Sequence, residues 1–451
     1  MIRRALTCSV ACAAACGPWQ RVGTPDRAPP PSVVVQRLFD ATTVYQAMGF
    51  FATNAPLPMV ASIRHLAGPT PDSTLIVFGL SFANHALSFH RDGNEFVGEY
   101  HVDVSFQADS GATRQFGRDE AVRVHSFQET LRADESVIFQ QFALVRPGVY
   151  TVAVVVRDRN SAAMARQQRP DTVPGFAGAA VGSPVTFYEG SGRDARSAFP
   201  KLLVSPRATL PYGSDSLRVY IEAYGATSPA RLAVRAVDDA GHDIWSDTVP
   251  ARGDARLATA TLVLPAERLP IGQAALEVQL VGAAATARAP FLVSFSNQWV
   301  VNNFEQMVSL LRYFPHQDWV AKLRDAPAES RAQVWRDFWK ATDPVPITPE
   351  NEALNQYFER VQIATQRYRE EGAPGWLTDR GEVFITLGDA DDVYDLSNEM
   401  GRGGVRVIRW TYTQLRLTLF FEDQSGFGRY RLTPTSRADY QSALSRVRRA
   451  Q

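Results

Sequence analysis

The chain has 451 residues, about three domains' worth at ordinary domain size. It is 45% hydrophobic and 21% charged, values that argue against disorder throughout, a collagen-like fiber or a polytopic membrane protein. Its 47 basic and 47 acidic residues cancel, which argues against a nucleic-acid binder, since such proteins carry a basic excess to neutralize phosphates. Lys201, Lys322 and Lys340 are the only lysines, a bias toward arginine read as compositional and not functional.

All three cysteines, Cys8, Cys12 and Cys16, lie at the start. Disulfides, a zinc–thiolate site and a cysteine nucleophile are thereby excluded from the body. Arg3 and Arg4 form a positive region, residues 5–15 an apolar run too short for a transmembrane span, and Cys16 follows three alanines. This layout resembles a bacterial lipoprotein signal over residues 1–16, with Cys16 the lipidated residue. Ala13 stands where such signals usually carry Leu, and a plain cleaved signal and a cytoplasmic start are the alternatives. Gly17 after the cysteine points by resemblance to the outer membrane, facing the periplasm or the exterior. Residues 17–57 read as a proline-rich tether, including Pro29, Pro30 and Pro31, followed by a short helical segment within 33–53.

Residues 58–190 read as a first antiparallel, Ig-like β-sandwich. Residues 73–82 are β-rich, Tyr100, Val102, Val104 and Phe106 alternate onto one face, and Asp109-Ser110-Gly111 and Arg146-Pro147-Gly148 mark turns. Residues 159–184 read as a long loop or an excursion from the sheet. A second sandwich is expected over 199–296, with a hairpin around Asp239-Ala240-Gly241 and strands at 258–265 and 274–282. The hydrophobic period changes near 297. Val301, Phe304, Met307, Val308 and Leu311 fall at helical spacing, as do Val334, Trp335, Phe338 and Trp339. Thr348-Pro349-Glu350 reads as a helix start and Gly372 as its stop. Strands are expected at 382–388, 405–414, 415–424 and 428–434, with a short basic helix at the end. The fold class is therefore multidomain and mainly β, with an α+β domain over 297–451 in which helices precede a small antiparallel meander.

Within that last domain, residues 375–395 (GWLTDRGEVFITLGDADDVYD) resemble the defining motif of bacterial GWxTD-domain proteins. Residues 335–361 resemble that family's aromatic helix, Asp-Pro linker and Glu-Asn-rich helix, and 407–432 its closing meander. Residues 72–89 look like the β region that often precedes the domain. The chain departs from the pattern at Asp389-Ala390 and at Leu415-Arg416. The resemblance implies the fold and an envelope location, but no established biochemical activity.

The motif residues Gly375, Trp376, Thr378, Asp379, Arg380, Gly381, Gly388 and Asp391 are candidates for either structure or binding. Trp376 would anchor the chain against the helices, and Thr378 and Asp379 would accept backbone N–H groups at the start of a strand. Arg380 would pair with Asp391 or Asp392, and Gly381 would allow a close approach.

Asp389, Asp391, Asp392 and Asp395, with Glu399 nearby, offer oxygen ligands for calcium, but a solvated acidic turn is the plainer reading. The seven histidines include no helical pair for zinc. No nucleophile elbow, phosphate loop or dinucleotide fingerprint occurs, and no cofactor is implied. Trp335, Phe338, Trp339 and Tyr357 would line a glycan or peptide groove or fill a core. Arg429, Arg431, Arg437, Arg446, Arg448 and Arg449 make a basic C-terminus, either a solvated face or a contact for anionic lipid. The leading expectation is a non-enzymatic envelope lipoprotein acting in protein–protein interaction or assembly. The rival is an envelope enzyme or a glycan- or peptide-binding protein with a cleft around Trp376, Asp379 and Asp391.

Overall fold

The computed structural model describes residues 41–450 apart from 55, 133–134, 136, 214–215, 228, 266–267, 296–303, 347–350, 371 and 397–404. The expectations for residues 1–16 with Cys16, for the tether, for Thr348-Pro349-Glu350 and for Glu399 lie outside the described residues. After a short helix α1 (Thr42–Ala47), two antiparallel sheets form the first β unit. One has the order β1 (Phe51–Thr53), β2 (Met59–Ala67), β3 (Thr74–Phe82), β7 (Val137–Val145). The other has β4 (Phe89–Asp92), β5 (Glu95–Ala108), β8 (Gly148–Asp158) and β9 (Met164–Val173), with β6 (Thr113–Val124) also paired to β5. A one-turn helix α2 (Phe127–Thr130) links β6 to β7.

The alternation read from residue 100 onward is realized. Tyr100, Val102, Val104 and Phe106 are buried against Val152, Val154 and Val156 of β8 and against Phe78, Leu80 and Phe82 of the facing sheet. Strand β3 does not alternate because both its faces are covered. Ile76, Phe78, Leu80 and Phe82 enter this core, whereas Leu75 and Val77 join Val185, Phe187, Leu202, Val204 and Tyr220 of the next unit. The approach is close at Gly79, where an added Cβ would lie 3.2 Å from Val204 and 3.3 Å from Pro206.

The second unit is a single long sheet folded over itself. Its order is β12 (Lys201–Val204), β11 (Val185–Ser191), β14 (Ser216–Tyr224), β17 (Ala258–Pro265), β16 (Asp243–Gly253), β15 (Ala230–Asp238), β18 (Gly272–Leu280), β19 (Thr286–Ser294), β13 (Thr209–Pro211). β10 (Ala180–Val181) pairs with β14. Strand β16 makes the corner: it pairs with β15 along most of its length and with β17 only at Arg252 and Gly253. The hairpin expected around Asp239-Ala240-Gly241 is β15–β16. Two sequence expectations need correction. Residues 159–184 are not a long loop but contain β9 and β10; β9 is polar and carries Pro170, which hid its period. Strands β10 and β11 hydrogen-bond to β14, so pairing with the second unit begins before residue 199.

The C-terminal part has helices α3 (Phe304–Leu310), α4 (Gln317–Asp325), α5 (Arg331–Thr342), α6 (Glu352–Arg367) and α7 (Asp379–Leu387). A consecutive antiparallel sheet β20 (Asp392–Asp395), β21 (Arg406–Tyr412), β22 (Leu417–Asp423), β23 (Arg431–Leu432) follows, then α8 (Pro434–Ala450). Its core is continuous with that of the second β unit: Trp335 and Phe295 pack at 4.5 Å between ring centroids, and Phe295 lies 5.4 Å from Tyr212. Trp335, Phe338 and Tyr357 are buried and Trp339 packs against them, so these aromatics fill a core, with Tyr357 also reaching the wall of a cleft. The N-cap of α6 is Asn351, whose side chain accepts from Leu354 N–H and donates to Trp339 O and Thr342 Oγ1, fastening α6 to α5. That helix ends at Arg367, before Gly372.

Residues 382–388 are the largest departure, because they form most of helix α7 and not a strand. Val383, Ile385 and Thr386 favor strands by propensity. The helix prevails because Thr378 caps it, Asp379 and Glu382 sit in its first turn, Gly388 ends it at positive φ, and Val383, Phe384 and Ile385 are all buried.

Candidate functional site

The motif is a turn that turns back into helix α7. Gly375 and Trp376 lie in a 3-10 turn, Gly375–Leu377, pressed against α6. A Cβ on Gly375 would sit 1.9 Å from Ala364 O, and one on Gly381 would sit 1.9 Å from Gly375 O. Both positions therefore demand glycine for backbone-to-backbone contact. Trp376 is buried, its ring edge-on to Tyr313 at 6.5 Å, and so anchors the turn against the helices. Thr378 Oγ1 donates to Gly375 O at 2.7 Å and accepts from Gly381 N–H at 3.1 Å, holding the turn and capping the helix at once.

The charged motif side chains reach toward the end of the chain. Asp379 Oδ2 accepts Leu432 N–H at 2.7 Å and pairs with Arg437 at 2.6 Å; Arg437 also pairs with Glu382 at 3.1 Å. Burial alone would lower the affinity of the Arg437 guanidinium for its proton, but Asp379 and Glu382 outweigh it and raise its pKa. Arg380 does not pair with Asp391 or Asp392. It lies over the Tyr430 ring at 4.3 Å and near the fully buried Glu370 carboxylate, 3.5 Å away. That carboxylate also accepts Tyr430 N–H at 3.0 Å and Arg431 at 2.7 Å. Thr378, Asp379 and Arg380 thus tie α7 to β23, to α8 and to the segment after α6.

Gly388, at φ +85°, ends α7, and its carbonyl accepts from Tyr412 OH at 3.1 Å. Asp391 accepts Thr413 N–H at 2.6 Å and so closes the β21–β22 turn onto the start of β20. The acidic residues do not converge: Asp389 pairs with Arg367, and Asp392 and Asp395 lie on exposed β20. The histidines are scattered as well. His65 meets Asp171 at 2.9 Å, and His101 sits between Asp103 and Asp119. Among the described residues no three His, Cys, Asp or Glu side chains are placed to hold a metal ion, and no helix is long and apolar enough to cross a membrane.

A cleft of about 1390 Å3 separates the first β unit from the C-terminal helices, with walls that include Tyr45, His85, His316, Thr386 and Leu444. Trp376, Asp379 and Asp391 do not line it. Asp379 and Asp391 accept backbone N–H groups of Leu432 and Thr413 within the domain, and Trp376 is buried. Sequence reasoning missed Glu370, Tyr430 and Arg437 as partners of the motif. Tyr430 and Arg437 are brought in from more than forty residues away by the return of β23 and α8, and Glu370 comes from the segment after α6, where no periodic pattern marks it. The helical nature of 379–387 was detectable from Thr378, the first-turn acids and Gly388.

Residues 283–441 match the family model of the GWxTD domain, so this chain carries that domain. No curated protein matches the chain. Among solved structures, red sea bream transglutaminase is similar at 7% identity and a TM-score of 0.16, over 56% of this chain and 33% of that one. A trypsin-activated alpha-2-macroglobulin from Escherichia coli is similar at 11% identity and a TM-score of 0.18, over 54% of this chain and 17% of that one. The chain spans a third or less of the length of either protein.

Proposed function

We propose that this protein is a non-enzymatic, lipid-anchored component of the cell envelope that acts in protein–protein interaction or assembly at the outer membrane. The observation that carries this reading is the direction of the motif. Thr378, Asp379 and Arg380 hold the GWxTD domain together, their polar atoms engaged with Gly375, Leu432, Arg437 and Glu370. The β units then present surfaces, and the N-terminal Cys16 supplies the anchor by resemblance.

The test is affinity capture of tagged full-length protein from mildly cross-linked envelopes, run beside Cys16→Ser. The expected outcome is a membrane-fraction protein with recurrent partners and a Cys16→Ser variant released to the soluble fraction. A wild-type protein that is soluble and captures nothing would sink the reading. It would then favor glycan or peptide binding in the cleft that Ile385 and Thr386 border.

A further inference from the structure

Helices α3, α4 and α5 surround a small pocket of about 340 Å3, away from the motif. A volume near 300 Å3 is at the lower end for small-molecule sites. Phe304 and Val308 supply its apolar surface, and Arg312, Arg324 and Arg331 border it with a single carboxylate, Glu305. Arg331 is already engaged: it lies 4.6 Å over the Phe304 ring and pairs with Glu305 at 2.8 Å. Arg312 hydrogen-bonds Tyr313 and lies 5.6 Å from the centroid of its ring, and neither Arg312 nor Arg324 has a carboxylate at ion-pair distance among the described residues. Elsewhere in the domain, arginines beside apolar surface take an internal carboxylate, as Arg380 takes Glu370 and Arg437 takes Asp379. Here three guanidinium groups border a pocket whose one acid is taken by Arg331, beside the partly exposed Val308.

We propose that this pocket binds a short-chain amphiphile bearing a carboxylate or phosphate head. Its apolar part lies against Val308 and the rim of Phe304, and its head group takes the Arg312 and Arg324 guanidinium groups. Arginine suits this role because its planar fork donates two parallel hydrogen bonds to either anion. The apolar surface adds affinity in proportion to the hydrocarbon it covers. The site does not depend on the assembly reading.

The experiment is calorimetric titration of the full-length chain with octyl phosphate below its micellar concentration, with inorganic phosphate and octyl glucoside as comparisons. One saturable site for octyl phosphate is expected, with both comparisons weaker by about tenfold or more. Arg312→Ser with Arg324→Ser, and separately Val308→Asp, are each expected to weaken octyl phosphate by about tenfold with unchanged melting. Failure of octyl phosphate to bind overturns the proposal. So does unchanged binding in the double variant, or binding of inorganic phosphate or octyl glucoside as tight as that of octyl phosphate. Sedimentation of Cys16→Ser protein with phosphatidylglycerol vesicles separates the sources. Co-sedimentation lost in the double variant assigns the head group to a membrane lipid, and its absence alongside octyl phosphate binding assigns a free amphiphile.

Discussion

Two buried glutamates, one in the second β unit and one in the GWxTD domain, hold their surroundings in different ways. Glu222 on β14 meets Arg193 through both oxygens at 2.8 Å, and neither side chain has any exposed surface. Tyr220 and Tyr224 both donate to the same carboxylate, and Arg193 donates onward to Ala67 O at 2.6 Å, at the end of β2 in the first unit. Burial first, and then the Glu222 charge, push both phenols up in pKa and keep them protonated as donors. Glu370 is equally enclosed, but Arg431, the cation that reaches it most closely, is 54% exposed at its side chain. The β units are thus joined by a sealed network whose members depend on one another, whereas the GWxTD domain is fastened by a network that opens to water at its rim. A sealed network penalizes any single loss, because the remaining charge stays buried. A rim network lets solvent replace the missing partner.

The largest expected effect tests the sealed side. Arg193→Met leaves Glu222 buried without its cation and is expected to lower stability by about 3–5 kcal/mol in urea unfolding. A loss under about 1 kcal/mol would mean that the tyrosines alone satisfy the carboxylate and would break the contrast.

An intermediate effect is expected at Asp423, buried at the end of β22. Its carboxylate accepts the Ser425 hydroxyl at 2.7 Å and the amides of Ser425, Gly426 and Gly428. Burial would raise its pKa, but these donors outweigh it and hold it below the usual carboxylate range. A depressed folded pKa gives stability that is complete above the unfolded value, near 4, and is lost as pH falls through the folded value. Asp423→Asn is expected to destabilize by about 2 kcal/mol at pH 7, with the gap to wild type closing in acid. Thermal melts across pH 2–7 check it, and a gap that persists at pH 2 would remove the ionized carboxylate as its cause.

The smallest effect belongs to the rim: Arg431→Ala is expected to change stability by less than about 1 kcal/mol. A loss near that of Arg193→Met would make the two networks equivalent.

Much of the β architecture was readable in sequence. Alternation exposed the faces of β5, and Asp239-Ala240-Gly241 announced the β15–β16 hairpin. Polar β9 lacked a hydrophobic period and was not readable in that way. In the candidate site, Trp376 as an anchor and Gly381 as a close approach followed from residue size alone. The pairing of Arg380 with Glu370, and not with Asp391, did not.

By itself the sequence determined the mainly β class, the change to helices near 297 and the motif's identity, because periodicity and turn chemistry act over a few residues. Only the tertiary structure decided that 382–387 is helix, that β3 is covered on both faces, and that Asp379 meets Arg437. Each of these depends on surfaces and charges brought together from distant parts of the chain, where burial outweighs local propensity.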